Sequence, residues 1–147
     1  MSHVDQAPAR VAVPDAAPRQ EGLSAGLRAA VRAIASTLFT TEAGVPEGDR
    51  LDWLCDDLDD FLGRSGPRAR GLLRLCVTAI TWLGPLHARR LGPFHALDPA
   101  TQTLALERME QGPLGLAVFG AKTLLCIVWY EHPAVARAAG YDGRCLR

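Results

Sequence analysis

The stretch Pro113-Leu-Gly-Leu-Ala-Val-Phe-Gly-Ala-Lys-Thr-Leu-Leu-Cys-Ile-Val-Trp-Tyr130 decides the fold class. Thirteen of its eighteen residues are apolar, and they spread around a helical wheel with no period-two alternation. Such a run predicts an α-helix that needs cover on several sides. It approaches the length that crosses a bilayer, but Lys122 falls in its middle, so the expectation is a buried central helix and no membrane span.

A second run of the same kind lies upstream. Ten of the fifteen residues from Ala69 to Leu83 are apolar. Pro67 suits a first helical turn, where its missing N–H is not needed. A helix from Pro67 to about Leu83 follows, broken or kinked by Gly84-Pro85. The remaining segments read as amphipathic helices by their i, i+3, i+4, i+7 spacing. One runs from about Ser24, its N-cap, to Phe39 through Leu27, Ala30, Val31, Ile34, Ala35 and Leu38. Another runs from about Arg50 to Leu62, with Asp49 as N-cap and Gly63 and Gly66 as its end. Asp98-Pro99 opens a fourth helix reaching about Gln111. Gly112-Pro113 restarts the chain for a helix over Leu114 to Tyr130, and Pro133 opens a last short helix that Gly140 caps. Residues 1–22 carry Pro8, Pro14 and Pro18 and no aromatic side chain. They cannot offset their ordering entropy and read as a disordered tail. The prediction is an all-α domain over 23–147, a compact bundle of about five to six helices around the third and fifth.

Composition narrows the function classes. The chain has 147 residues, and its 16 basic and 16 acidic side chains cancel. Zero net charge argues against a general nucleic-acid binder and leaves self-association open, because little repulsion keeps copies apart. The first residues lack a basic segment followed by an apolar one, so a cytoplasmic location is expected. Cys55, Cys76, Cys126 and Cys145 are widely spaced and form no CxxC pair. The first three read as small core hydrophobes, and a disulfide from Cys145 stays open.

Asp56-Asp57-Leu58-Asp59-Asp60 contains DDxxD, the pattern by which all-helical prenyl-transfer enzymes hold magnesium diphosphate. On a helix these aspartates point away from the apolar stripe of Leu51, Leu54, Cys55, Leu58, Phe61 and Leu62, whereas that chemistry needs them facing a cavity. A solvated acidic face is expected, one that Arg64, Arg68, Arg70 and Arg74 could meet. His3, His87, His95 and His132 show no i, i+4 metal spacing. No nucleophile elbow, P-loop or dinucleotide glycine motif is present, so no catalytic, cofactor-binding or metal-binding residue is assigned. Trp129 and Tyr130 are neighbours and diverge by about 100° on a helix. If one packs inward, the other faces a second surface suited to a protein contact.

Several segments in order resemble one family: Leu23-Ser-Ala-Gly-Leu-Arg-Ala-Ala-Val-Arg-Ala-Ile-Ala, Phe61-Leu, Pro67-Arg-Ala-Arg-Gly-Leu-Leu-Arg-Leu, Gly92-Pro-Phe-His-Ala-Leu-Asp, Leu106-Glu-Arg-Met-Glu, and Gly120-Ala-Lys-Thr-Leu-Leu through Tyr130-Glu-His-Pro to Gly140-Tyr-Asp-Gly. The chain is similar over 23–145 to the small helical subunit of membrane-associated sugar and alcohol dehydrogenases, the gluconate 2-dehydrogenase subunit 3 type. It also resembles the helical module ahead of the flavin domain in some glucose–methanol–choline (GMC) oxidoreductases. The resemblance implies a non-catalytic accessory subunit that binds and stabilises, or helps fold, an FAD-dependent catalytic chain. The flavin belongs to that partner. Many such subunits carry a twin-arginine export signal, which is not found here. On this reading Trp129, Tyr130, His132, Pro133, Tyr141 and Asp142 make or shape the partner contact. The alternative is a free-standing helical enzyme or ligand-binding protein, with a cavity between the third and fifth helices and His95 or His132 as its polar group.

Overall fold

The computed structural model describes residues 22–141. The expected tail, apart from Gly22, lies outside the described residues, as do Asp142 and Cys145. The described chain is all-α: α1 (Ala25–Leu38), α2 (Gly48–Ser65), α3 (Pro67–His87), a single 3₁₀ turn at Phe94–Ala96, α4 (Pro99–Glu110), α5 (Gly115–Glu131) and α6 (Pro133–Ala138).

Local chemistry explains most of the boundaries. Ser24 caps α1, its hydroxyl accepting from Leu27 N–H at 3.3 Å. The Asp98 carboxylate caps α4, accepting from Thr101 N–H at 3.0 Å and from the Thr101 hydroxyl at 2.7 Å. These bonds hold its carboxyl below the usual aspartate range. His132 caps α6, its Nδ1 accepting from Ala134 N–H at 3.2 Å. Gly140, at φ 81°, closes α6 in a Schellman motif in which Tyr141 N–H reaches Ala136 C=O at 2.9 Å and Gly140 N–H reaches Arg137 C=O at 3.0 Å.

Three boundaries differ from the expectation. Glu47 precedes α2 and makes no side-chain cap, while Asp49 sits inside the first turn, where its charge complements the helix dipole. Gly63 does not end α2. An interior glycine costs about 1 kcal/mol, and the helix continues until Gly66, at φ 84°, turns the chain. Gly84-Pro85 does not end α3 either, since the helix runs on to His87. Both residues are buried, and the Cβ position of Gly84 lies 3.6 Å from the Phe94 ring. The helix stops through a second Schellman motif, with Arg90 N–H on Pro85 C=O at 2.9 Å and Arg89 N–H on Leu86 C=O at 3.0 Å. The left-handed residue of this motif is Arg89, at φ 55°.

The core gathers one face of every helix. Ile34, Leu54, Leu58, Leu73, Ile80, Phe94, Met109 and Leu125 are fully buried. Polar cross-ties position the rest. Gln102 donates to Phe94 C=O at 3.1 Å and bonds the Thr37 hydroxyl at 3.0 Å, joining α4, the 3₁₀ turn and α1. Arg108 donates to His87 C=O at 3.0 Å, satisfying the end of α3 from α4. The Cβ position of Gly120 lies 3.0 Å from Cys76 Sγ, and that of Gly112 lies 3.9 Å from His87 Nε2. The chain therefore ascends α5 as it descends α3, and the two helices pack antiparallel. No single helix among the described residues is long and apolar enough to cross a membrane, and α4 and α5 pass such a test only as a pair bent by 115°.

Two outcomes test these boundaries. The left-handed conformation costs a side chain about 1–2 kcal/mol, more than glycine's extra unfolded-state entropy of about 0.5–1 kcal/mol, so Arg89→Gly should raise stability in urea unfolding. Asp98→Asn should lower stability near neutrality. Because the folded carboxyl titrates below its unfolded value of about 3.9, the stabilisation is complete above that pH and is lost as pH falls through the lower folded value. The difference between wild type and variant should therefore shrink in acid, as followed by helical circular dichroism.

Candidate partner-binding surface

The C-terminal residues expected at a partner contact divide into two groups. Trp129 is 7% exposed. Its ring stacks on Phe39 with centroids 4.3 Å apart and planes within 5°, and the Arg50 guanidinium lies 5.8 Å above it. His132 meets Trp53 edge-on at 4.5 Å while capping α6 through Nδ1. Both rings shape the end of the bundle, and Trp129 in particular is a core residue. Tyr130, one position on, is 55% exposed, the divergence expected of adjacent helical residues. Pro133 and Tyr141 are exposed as well and line an open depression of about 780 Å³ with Glu131 and Arg137.

A larger surface lies along α3 and α5. Neither helix is enclosed on several sides. α3 buries Leu73, Cys76, Val77 and Ile80 but exposes Leu72, Leu75, Trp82, Leu83 and Leu86. α5 buries Val118, Ala121, Leu125 and Val128 but exposes Leu116, Phe119, Ile127 and Tyr130. Leu116 at 82%, Leu75 at 68%, Phe119 at 64% and Trp82 at 60% are too open to count as partial core. The two helices touch along Cys76 and Gly120 and bury the same side against the rest of the bundle. At about 100° per residue, both exposed sets fall on the opposite side, so they form one face. A sequence signal for it existed: Leu72, Leu75, Ala79, Trp82 and Leu86 repeat at alternating three and four residues. Set among so many apolar neighbours, that repeat read as burial all round.

The charges lie elsewhere. On α2, Asp56 pairs with Arg28 of α1 at 2.6 Å, Asp52 pairs with Arg32, and Asp59 accepts from Leu23 N–H at 2.9 Å. The aspartates thus face α1 and solvent, and Asp52 and Asp56 take arginine partners from α1. Arg28 is held above its ordinary range chiefly by its bond to Asp56. No group of three or more His, Cys, Asp or Glu among the described residues could hold a metal ion. Burial pushes the thiols of Cys55, Cys76 and Cys126 upward, which makes them poor nucleophiles.

α3 and α5 come close at Gly120, whose Cβ position lies 3.0 Å from Cys76 Sγ. A groove of about 280 Å³ runs between α1 and α3 and is edged by Arg74, Thr78, Trp82 and His95. His132 stands apart from it, against Trp53. Comparison with family models, with curated proteins and with solved structures yields no match to this chain.

The division between Trp129 and Tyr130 is measurable. Trp129→Ala should cost about 3–5 kcal/mol of unfolding free energy, as for other buried aromatics. Tyr130→Ala should stay within about 0.5 kcal/mol of wild type. Chemical denaturation of the two variants side by side checks both values.

Proposed function

We propose that this chain is a non-catalytic accessory subunit that docks onto a GMC-type FAD-dependent oxidoreductase and stabilises it or helps it fold. The observation that carries the docking role is the exposed face of α3 and α5. Its nine large apolar side chains leave on the order of 1,000 Å² uncovered, taking about 150–250 Å² for a whole aromatic side chain and somewhat less for an aliphatic one. The largest apolar patch of an ordinary monomer is about 300–600 Å², and a stable interface takes about 800 Å² from each partner. Covering such a face removes apolar surface from water, which is how a small subunit stabilises a larger one.

The flavoprotein as partner rests on the resemblance carried by Gly120-Ala-Lys-Thr-Leu-Leu, Tyr130-Glu-His-Pro and Gly140-Tyr-Asp-Gly. Tyr130 belongs to the docking face, and Pro133 and Tyr141 extend it toward the C-terminal end. The catalytic chemistry is assigned to the partner chain.

A tagged copy recovered from its native host at moderate salt tests the proposal. The expected result is a second chain of flavoprotein-domain size in near-constant ratio, with flavin absorbance in the eluate. A colourless chain recovered alone would overturn the stable-subunit reading.

A further inference from the structure

The groove between α1 and α3 has an apolar floor and two chemically different ends. Ala30, Val77 and Thr81 line it and are buried. The Thr81 hydroxyl is spent on Val77 C=O at 2.7 Å, so the floor presents apolar surface. The C-terminal halves of α1 and α3 meet at the 3₁₀ turn, where Gln102 joins Thr37 to Phe94 C=O and Gly84 packs beside the Phe94 ring. Trp82 and His95 therefore mark that end of the groove, and Arg74 with Ser24 marks the other. Arg74 and Trp82 stand about 12 Å apart along α3 at 1.5 Å per residue.

Its charge suits an anion. No Asp or Glu lines the groove, and among the described residues no carboxylate lies within ion-pair reach of Arg74. A planar carboxylate can take two guanidinium N–H groups side by side. Access is open from the α1 side, where Gly26 forms part of the wall. An added Cβ there meets nothing within 4 Å, so packing does not require glycine, although glycine weakens an exposed helix relative to alanine. Its effect is to leave that wall without a side chain. The volume, about 280 Å³, falls just below the range of about 300–1,000 Å³ for ligand sites. The occupant is therefore small, and the separation of the two ends makes it elongated.

We infer that this groove binds a small, elongated carboxylic acid, with its carboxylate on Arg74, its apolar body over Leu27, Ala30 and Val77, and its far end against Trp82 beside His95. The inference goes beyond the docking role and does not depend on the flavoprotein reading. Arg74 and Trp82 are both open to water, so affinity is modest. For a ligand of about ten non-hydrogen atoms the expected dissociation constant is on the order of 0.1–1 mM.

The test titrates the full-length chain with octanoate and follows the indole N–H resonances of its 3 tryptophans by NMR, with Trp82→Phe assigning the Trp82 signal. The expected result is a saturable shift of the Trp82 resonance, with those of Trp53 and Trp129 unmoved. Arg74→Glu alters an exposed position, and an unchanged thermal unfolding midpoint would show the fold intact. It should weaken binding about tenfold or more, the scale of a charge-assisted hydrogen bond. 1-Octanol, which lacks the charge, should bind several-fold more weakly than octanoate. Absence of a saturable shift up to about 10 mM octanoate, ten times the weakest affinity expected, would overturn the inference. Equal binding of octanol, or full binding by Arg74→Glu, would remove the carboxylate from Arg74 and overturn it as well. If Arg74→Glu keeps the shift and Leu75→Glu with Phe119→Glu loses it, the ligand sits on the α3/α5 face and the inference falls. Each of these outcomes leaves the flavoprotein reading to its own test, recovery of the partner chain.

Discussion

The close approach of α3 and α5 at Cys76 and Gly120 organises the molecule. A Cβ at Gly120 would stand 3.0 Å from Cys76 Sγ, so glycine is what allows the two backbones to pack at this distance. Everything else attaches to that pair. α2 and α4 pack against both helices, α1 and the 3₁₀ turn close over α3, and α6 folds back onto the end of α5. At Gly120 and Cys76 the two central helices leave no space between them, and their largest exposed apolar side chains stand on the outer face.

That outer face carries an energetic cost in isolation. Exposed leucines and aromatics at this density favour association, because covering apolar area yields roughly 25 cal/mol per Å² before ordering costs are subtracted. The paired charges lie on another side. Arg28 and Arg32 engage Asp56 and Asp52 on the α1/α2 side, where exposed pairs add only about 0–1 kcal/mol each. Arg74 edges the groove between α1 and α3, and Arg90 lies close enough to Asp98 to help lower its carboxyl. Overall neutrality therefore conceals two faces of different character, one acidic and solvated, the other apolar.

Much of the local structure could be read from residue order. Ser24, Asp98 and Gly140 act as the caps their chemistry predicts, and Pro67, Pro99 and Pro133 each open a helix. Where glycine or proline was read as a stop, the outcome depended on what lay around it. Gly63 sits in a helix already anchored by Leu58 and Leu62, and Gly84-Pro85 is buried beneath Phe94, so neither interrupts its helix. The real stops, Gly66 and Arg89, are set by positive φ, and an arginine in that conformation has no signal in a propensity scale.

The sequence by itself determined that the chain is helical, where most of its helices begin, and that Trp129 and Tyr130 must face different ways, because these follow from bonds and spacings within a few residues. Only the tertiary structure decided that Trp129 turns inward onto Phe39, that the aspartates of α2 meet the arginines of α1, and that α3 and α5 share one uncovered face. Those outcomes depend on which helix packs beside which. An apolar side chain carries the same preference for cover whether the cover comes from its own chain or from another, so residue order alone could count the apolar surplus but could not say which part of it the fold would leave exposed.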